Sequence, residues 1–379
     1  MLLKSAILLD SNAGAPLHPV VKQALFAFLE SEASTGNPQS LHAFGRKASA
    51  LIGDAEAAVL GTFGVSPLHW RVTFTGSGSE ANQLAIRSAL GPALEQGTLP
   101  TWAVSEVEHG CVLGMIPEMK ARGVKVHPLR PRATGEVNDL SGIGGASLLS
   151  VIGVGNETGI FQHNITSHIL QANFPTLKNR PPYHADFTAG WGKKKLDLSK
   201  VDAPDFVAIA GHKLGGISGI GALIHRRSIR VERAGTPNLA GIVAMKALAD
   251  HWAEITGEME NLRDIREAFE RELLARFPKI LITGSSFPRA ANVTHFIVPG
   301  LRKDLSLVAQ LDLRGFAVSA GSACASHVPE PSHVLRAMGV SGIDARNALR
   351  VSLHPGNTAE DLTRLLDALG AILGKNEAL

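Results

Sequence analysis

The chain has 379 residues, more than one compact core usually serves, so two domains are expected. Apolar residues make up 45% and charged residues 19%, which excludes a disordered chain, and the basic excess of 3, spread along the sequence, is too small for a nucleic-acid-binding surface. Two cysteines, Cys111 and Cys324, exclude a disulfide scaffold and point to a cytoplasmic setting, and no stretch reaches the roughly 20 apolar residues of a membrane span.

The first residues are interrupted by charge at Lys4 and Asp10, too soon for a signal peptide. After a turn-forming cluster at 10–14, His18-Pro19 opens a helix with Val21, Leu25, Phe28 and Leu29 on one face, ended by Gly36-Asn37-Pro38. A second helix follows Ser40, with Leu51, Ile52, Ala55 and Val59 at helical spacing, and closes at Gly61 and Gly64. Residues 70–75 read as a strand, and Gly76-Ser77-Gly78-Ser79 turns from it into a helix beginning near Glu80. Small residues at a helix start leave amide donors open to a phosphate; the same residues also suit an ordinary glycine turn.

A strand over 102–105 leads to Glu108-His109 and an apolar helix over 111–119. A strand over 148–154 leads to Asn156-Glu157 and a helix over 165–172. The strand 183–186 ends in Asp186, and the basic run 193–195 reads as a solvated loop. The strand 206–210 ends in Gly211-His212-Lys213, followed by Gly215-Gly216. A lysine at that point can project its amine into a cleft while glycine lets the backbone approach a ligand, or it can simply open a loop.

Repeated strand, polar tip and helix define an α/β fold with an open, mostly parallel sheet and a ligand site along the strand tips. From 237 to 277 the pattern is long helix, with Leu248, Trp252 and Ile255 as its apolar stripe. A smaller α/β unit follows: strands at 280–283, 291–298 and 316–319, a helix over 305–313, and a loop of small residues around Cys324. That gives a large domain over 15–250 and a small one built from 1–14 and 251–379.

Taken together, Thr75-Gly76-Ser77-Gly78-Ser79-Glu80-Ala81-Asn82, Glu108-His109, Asn156-Glu157-Thr158-Gly159, His184-Ala185-Asp186, Gly211-His212-Lys213 and Ser319-Ala320-Gly321-Ser322-Ala323-Cys324 resemble the cysteine desulfurases of the NifS and IscS type. The likeness runs on to Leu349-Arg350-Val351-Ser352-Leu353, covering nearly the whole chain. It implies a fold-type I homodimer that uses pyridoxal 5'-phosphate to convert L-cysteine to L-alanine, with no metal. On that resemblance Lys213 is the Schiff-base lysine, Asp186 pairs with the ring nitrogen and His109 stacks on the ring. Gly78, Ser79 and His212 hold the phosphate, with Thr236 reaching the partner subunit's phosphate. Asn156 lies near the ring hydroxyl or the substrate carboxylate, which Arg350 clamps. Cys324 takes the sulfur as a persulfide for an acceptor or scaffold protein, as in iron-sulfur cluster assembly or thio-modification, and Cys111 is a packing residue.

Four features depart from the family pattern, the first being the opening, where Leu9-Asp10-Ser11-Asn12-Ala13-Gly14 stands for the family's Leu-Asp-Asn-Asn-Ala-Thr. Ala189 stands where the family has glutamine, Ala210 where it has serine, and the glycine-rich segment before Thr236 is shortened. Because fold alone does not fix function, a lyase or aminotransferase on the same fold, or a non-catalytic relative acting as a binding partner, stays open beside the desulfurase.

Overall fold

The computed structural model describes residues 6–174, 176, 179–301, 305–320 and 331–374. Its centre is a seven-stranded sheet whose strands lie in the order Trp70–Thr75, Gly221–Arg226, Phe206–Ala210, Tyr183–Asp186, Leu148–Ser150, Thr101–Ser105 and Lys125–Leu129. Only Gly221–Arg226 runs against its neighbours, so the sheet is mostly parallel, as expected. Strands such as Phe206–Ala210 are buried along their whole length, the mark of a sheet covered on both faces by helices.

The sequence pattern and the structure differ where local chemistry interrupts an apolar run. Residues 111–119 form two short helices, Gly110–Leu113 and Ile116–Ala121, because Pro117 suits a new first turn and not a helix interior. The long helical stretch is likewise two helices, Leu239–Asp250 and Trp252–Arg276, divided at His251. The helix expected near Glu80 starts at Gly78, since the Ser77 side chain accepts the Glu80 amide at 3.0 Å. Beyond Ser150 the chain leaves strand geometry while its backbone still bonds across, Gly153 N–H to the Asp186 carbonyl at 2.8 Å. The strands Lys125–Leu129 and Gly221–Arg226 carry no alternation that announces them.

A three-stranded antiparallel sheet is formed by Leu281–Ile282, Val293–Ile297 and Ala348–Ser352, and Ile7–Leu8 pairs in parallel with Phe316–Ala317. This pairing brings Ile7–Leu8 to the strand Phe316–Ala317 and leaves Asp10, Ser11 and Asn12 beside the large sheet's strand ends, with Asp10 bridging to Ser352. One apolar cluster runs from the seven-stranded sheet to the three-stranded one, with Trp191 packed on Trp252 at 5.4 Å between ring centroids. Among the described residues no helix is long and apolar enough to cross a membrane.

Burial also sets the pH response of stability. His184, His163 and His212 are pushed down to about 4 and His295 to about 3, each chiefly by desolvation. Such groups stay neutral in the fold while the unfolded chain takes up protons below about 6.5, so the stability they contribute is present above that pH and is lost as pH falls through 4. Glu108 and Glu157, pushed up by desolvation, act in the opposite sense. With four histidines against two carboxyls, calorimetry is expected to show stability falling between pH 7 and pH 5; a melting temperature that rises as pH falls over that range contradicts the burial of these histidines as neutral groups.

Candidate active site

The carboxyl ends of the parallel strands open on a cavity of about 440 Å³, a size suited to a cofactor or small substrate. Lys213 enters it from a short 3-10 turn, His212–Leu214, that follows strand Phe206–Ala210. The turn closes through Gly215 at φ 87°, where a Cβ would lie 3.0 Å from the Pro16 carbonyl oxygen and from the His18 Cβ, so only glycine fits. The facing segment holds the turn in return: Ala15 N–H donates to the His212 carbonyl and His18 N–H to the Gly215 carbonyl, both at 2.9 Å.

Asp186, at the end of the neighbouring strand, is 2% exposed. Its Oδ1 accepts the Thr188 amide and its Oδ2 the Asn82 side-chain amide, both at 2.9 Å. The Lys213 amine is pulled down by burial, which Asp186 partly offsets, and so is closer to a usable nucleophile and proton carrier than an exposed lysine. His109 caps the helix Gly110–Leu113, its Nδ1 accepting the Cys111 amide at 3.1 Å, and burial lowers its pKa, so it presents a neutral ring.

Gly78 and Ser79 line the cavity at the first turn of the 18-residue helix Gly78–Glu95. A Cβ on Gly78 would come within 2.4 Å of Thr188 Cγ2, so glycine keeps this helix end against the strand tips. Asn156 lines the opposite side; its Oδ1 is buried and has no hydrogen-bond partner among the described residues. Arg350, 2% exposed, donates to the Asn156 carbonyl at 2.9 Å and pairs with Asp10 at 2.6 Å.

Of the residues expected at the site, Gly78, Ser79, His109, Asn156, Asp186, His212, Lys213 and Arg350 come together on this one cavity. Thr236 is exposed and lies away from it. Cys324 falls outside the described residues. Ala189 is packed into the apolar core and turns no polar atom to the cavity, whereas Ala210 lines it with a methyl group, so neither offers the cavity a side-chain hydrogen bond.

Cys111 packs against the apolar cluster around Trp102 and Val112, as expected, and it also lines the cavity, where its sulfur accepts from Asn82 Nδ2 at 3.5 Å. Burial and the nearby Asp186 push its thiol up to about 12, so it is present as an unreactive thiol. Lys193 is not a solvated loop residue. It is buried and donates to Asn12 Oδ1 at 2.6 Å, because the turn after Gly190 folds it under the N-terminal segment. Thr188, His333 and Asn12 also line the cavity without having been singled out, and so does Asn82, which closes the motif 75–82 one helical turn past Gly78 but was given no role.

The residues present fit pyridoxal phosphate: a buried lysine and carboxylate at adjacent strand ends, an open helix start for a phosphate, an unpartnered buried amide oxygen and a histidine ring. Fold and cavity therefore define a fold-type I pyridoxal-phosphate-dependent enzyme. The chain belongs to the class-V aminotransferase family, whose sequence profile matches residues 7–233 and 228–365, and within it to the cysteine desulfurases. It is 32% identical to a cysteine desulfurase of Cereibacter sphaeroides, over 98% of this chain and 97% of that protein. It is 31% identical to one of Gluconacetobacter diazotrophicus, over 98% and 94%. Among solved structures, a NifS-like protein from Rickettsia africae superposes with a TM-score of 0.82 at 25% identity, over 97% of this chain and 99% of that one.

Proposed function

We propose that this cavity converts L-cysteine to L-alanine, with Lys213 carrying the cofactor and Cys324 receiving the sulfur. The observation that supports it most is the convergence of Lys213, Asp186, His109 and Arg350 on one cavity. Bound pyridoxal phosphate supplies a covalent handle for the substrate amine and an electron sink. Asp186, held on both oxygens, keeps its carboxylate in place for the ring nitrogen. Gly78, Ser79 and His212 hold the phosphate, and Asn156 offers its unpartnered oxygen to the ring hydroxyl or the substrate. Arg350 clamps the substrate carboxylate through its guanidinium, oriented by Asp10.

Lys213, whose amine lies in the cavity, would hold and move the proton at the substrate α-carbon. The Cys324 thiolate attacks the substrate sulfur, so an S–S bond forms as the substrate's C–S bond breaks. The electron pair stays with the substrate, and protonation there gives alanine. The persulfide on Cys324 is then available to an acceptor or scaffold protein, as in iron-sulfur cluster assembly or thio-modification. A large domain over 15–250, a small one over 1–14 and 251–379, a cytoplasmic setting and a homodimer in which Thr236 reaches the partner's phosphate belong to the same reading; exposure of Thr236 away from its own cavity supports the last.

The test is alanine release from L-cysteine by purified protein that shows a borohydride-sensitive band near the visible edge. Arg350→Lys replaces a two-pronged clamp by a point charge. It is expected to raise KM for L-cysteine by about tenfold or more while the band persists. An unchanged KM removes Arg350 from substrate binding. Release of pyruvate or transfer of the amino group, without alanine, favours the lyase or aminotransferase reading.

A further inference from the structure

Behind Asp186 lies a file of buried polar side chains that the chemistry above does not use. Strand alternation puts Trp102, Ser150, His184 and Asp186 on one face of the sheet, since Val104 registers with Ser150 and Ser150 with His184, and Trp102 and Asp186 are each two residues along. The helix Gly78–Glu95 covers that face, and Ala81 and Ala85, fully buried against Phe206 and Ala208, bring it close enough for Asn82 to reach the strands.

Trp102 Nε1 lies 2.9 Å from Ser150 Oγ, Ser150 Oγ 3.2 Å from His184 Nδ1, His184 Nε2 2.9 Å from Asn82 Oδ1, and Asn82 Nδ2 2.9 Å from Asp186 Oδ2. None of the five residues is more than 2% exposed.

The two ends fix every proton between them. An indole N–H can only donate and a carboxylate can only accept. Ser150 therefore accepts from Trp102 and donates to His184 Nδ1, and His184, neutral because burial pushes it down to about 4, carries its proton on Nε2 and donates to Asn82. The Asn82 amide spends one N–H on Asp186 and the other on Cys111 Sγ. No member can be turned round without setting donor against donor or acceptor against acceptor.

We propose that Trp102, Ser150, His184 and Asn82 form a one-way hydrogen-bond relay that positions Asp186 and disperses its charge where it meets the cofactor's ring nitrogen. The relay rests on the proposed pairing of Asp186 with that nitrogen. Its members are positioning residues, and all the dipoles point the same way in a dry interior, where such bonds reinforce one another.

The test uses holoenzyme and reads the cofactor itself. Asn82→Leu removes the donor to Asp186 at nearly constant volume; the bound cofactor's absorbance is expected to titrate about half a unit or more higher, because the carboxylate's charge is less dispersed. Cofactor is expected to leave about tenfold faster on dilution. His184→Leu strands the Asn82 oxygen and moves both readouts the same way, whereas His184→Gln keeps a donor for that oxygen and restores at least half of each change. If the His184 variants melt alike yet titrate and release cofactor as wild type does, or if glutamine rescues nothing, His184 serves packing and the relay is overturned, whether or not Asn82→Leu folds. Wild-type protein that takes up no cofactor overturns the functional reading and the relay together; normal uptake with unmoved variants overturns the relay alone.

Discussion

Lys213→Ala is expected to lower alanine release from L-cysteine by more than about a thousandfold, with the fold and its melting temperature preserved. The lysine supplies two things that no neighbour replaces: the amine that tethers the cofactor and the base that moves the substrate's proton. The other buried lysine at this end of the sheet, Lys193, is committed to Asn12 at 2.6 Å. Burial, with Lys213 and Arg350 nearby, drives its amine well below the usual lysine range, and Arg350 is itself held by Asp10. Removing Lys213 takes away no core packing, since its side chain faces the cavity. A variant that retains more than about a tenth of the activity would move the chemistry to another residue.

Cys324→Ser is expected to abolish alanine release while leaving L-cysteine able to perturb the cofactor's spectrum, because substrate capture rests on Lys213 and Arg350. Near neutral pH a serine hydroxyl holds its proton and attacks sulfur poorly, whereas a thiolate is the nucleophile that sulfur transfer needs. Cys111 cannot stand in: its thiol is pushed up to about 12 and already accepts a hydrogen bond from Asn82. The variant should carry no persulfide after exposure to cysteine. Undiminished alanine release by Cys324→Ser would end the desulfurase mechanism and leave a lyase or aminotransferase.

The strand tips were legible because each pairs a short apolar run with a chemically distinctive residue. Asp186 closes residues 183–186, His109 follows 102–105 and Lys213 follows 206–210, and all three reach one cavity. Strand Gly221–Arg226 was not legible, since its identity comes from lying antiparallel between Phe206–Ala210 and the sequence-distant Trp70–Thr75. Lys193 looked like surface charge because its burial depends on a turn and on the N-terminal segment folding over it. Cys111 reads as packing and does pack beside Trp102 and Val112, but its place on the cavity was not legible because Asn82 comes to it from a separate helix. The pattern of residue types gave the chemistry at each tip; the relay behind Asp186 needed the register of three strands and one helix.

The central claim, that this cavity holds pyridoxal phosphate on one particular lysine, is tested most directly by reducing the purified holoenzyme with borohydride and mapping its peptides by mass spectrometry. The account predicts the cofactor's mass on the peptide carrying Lys213, with the peptide carrying Lys193 unmodified. Modification at Lys193, or no modified lysine in protein that still releases alanine, would contradict it.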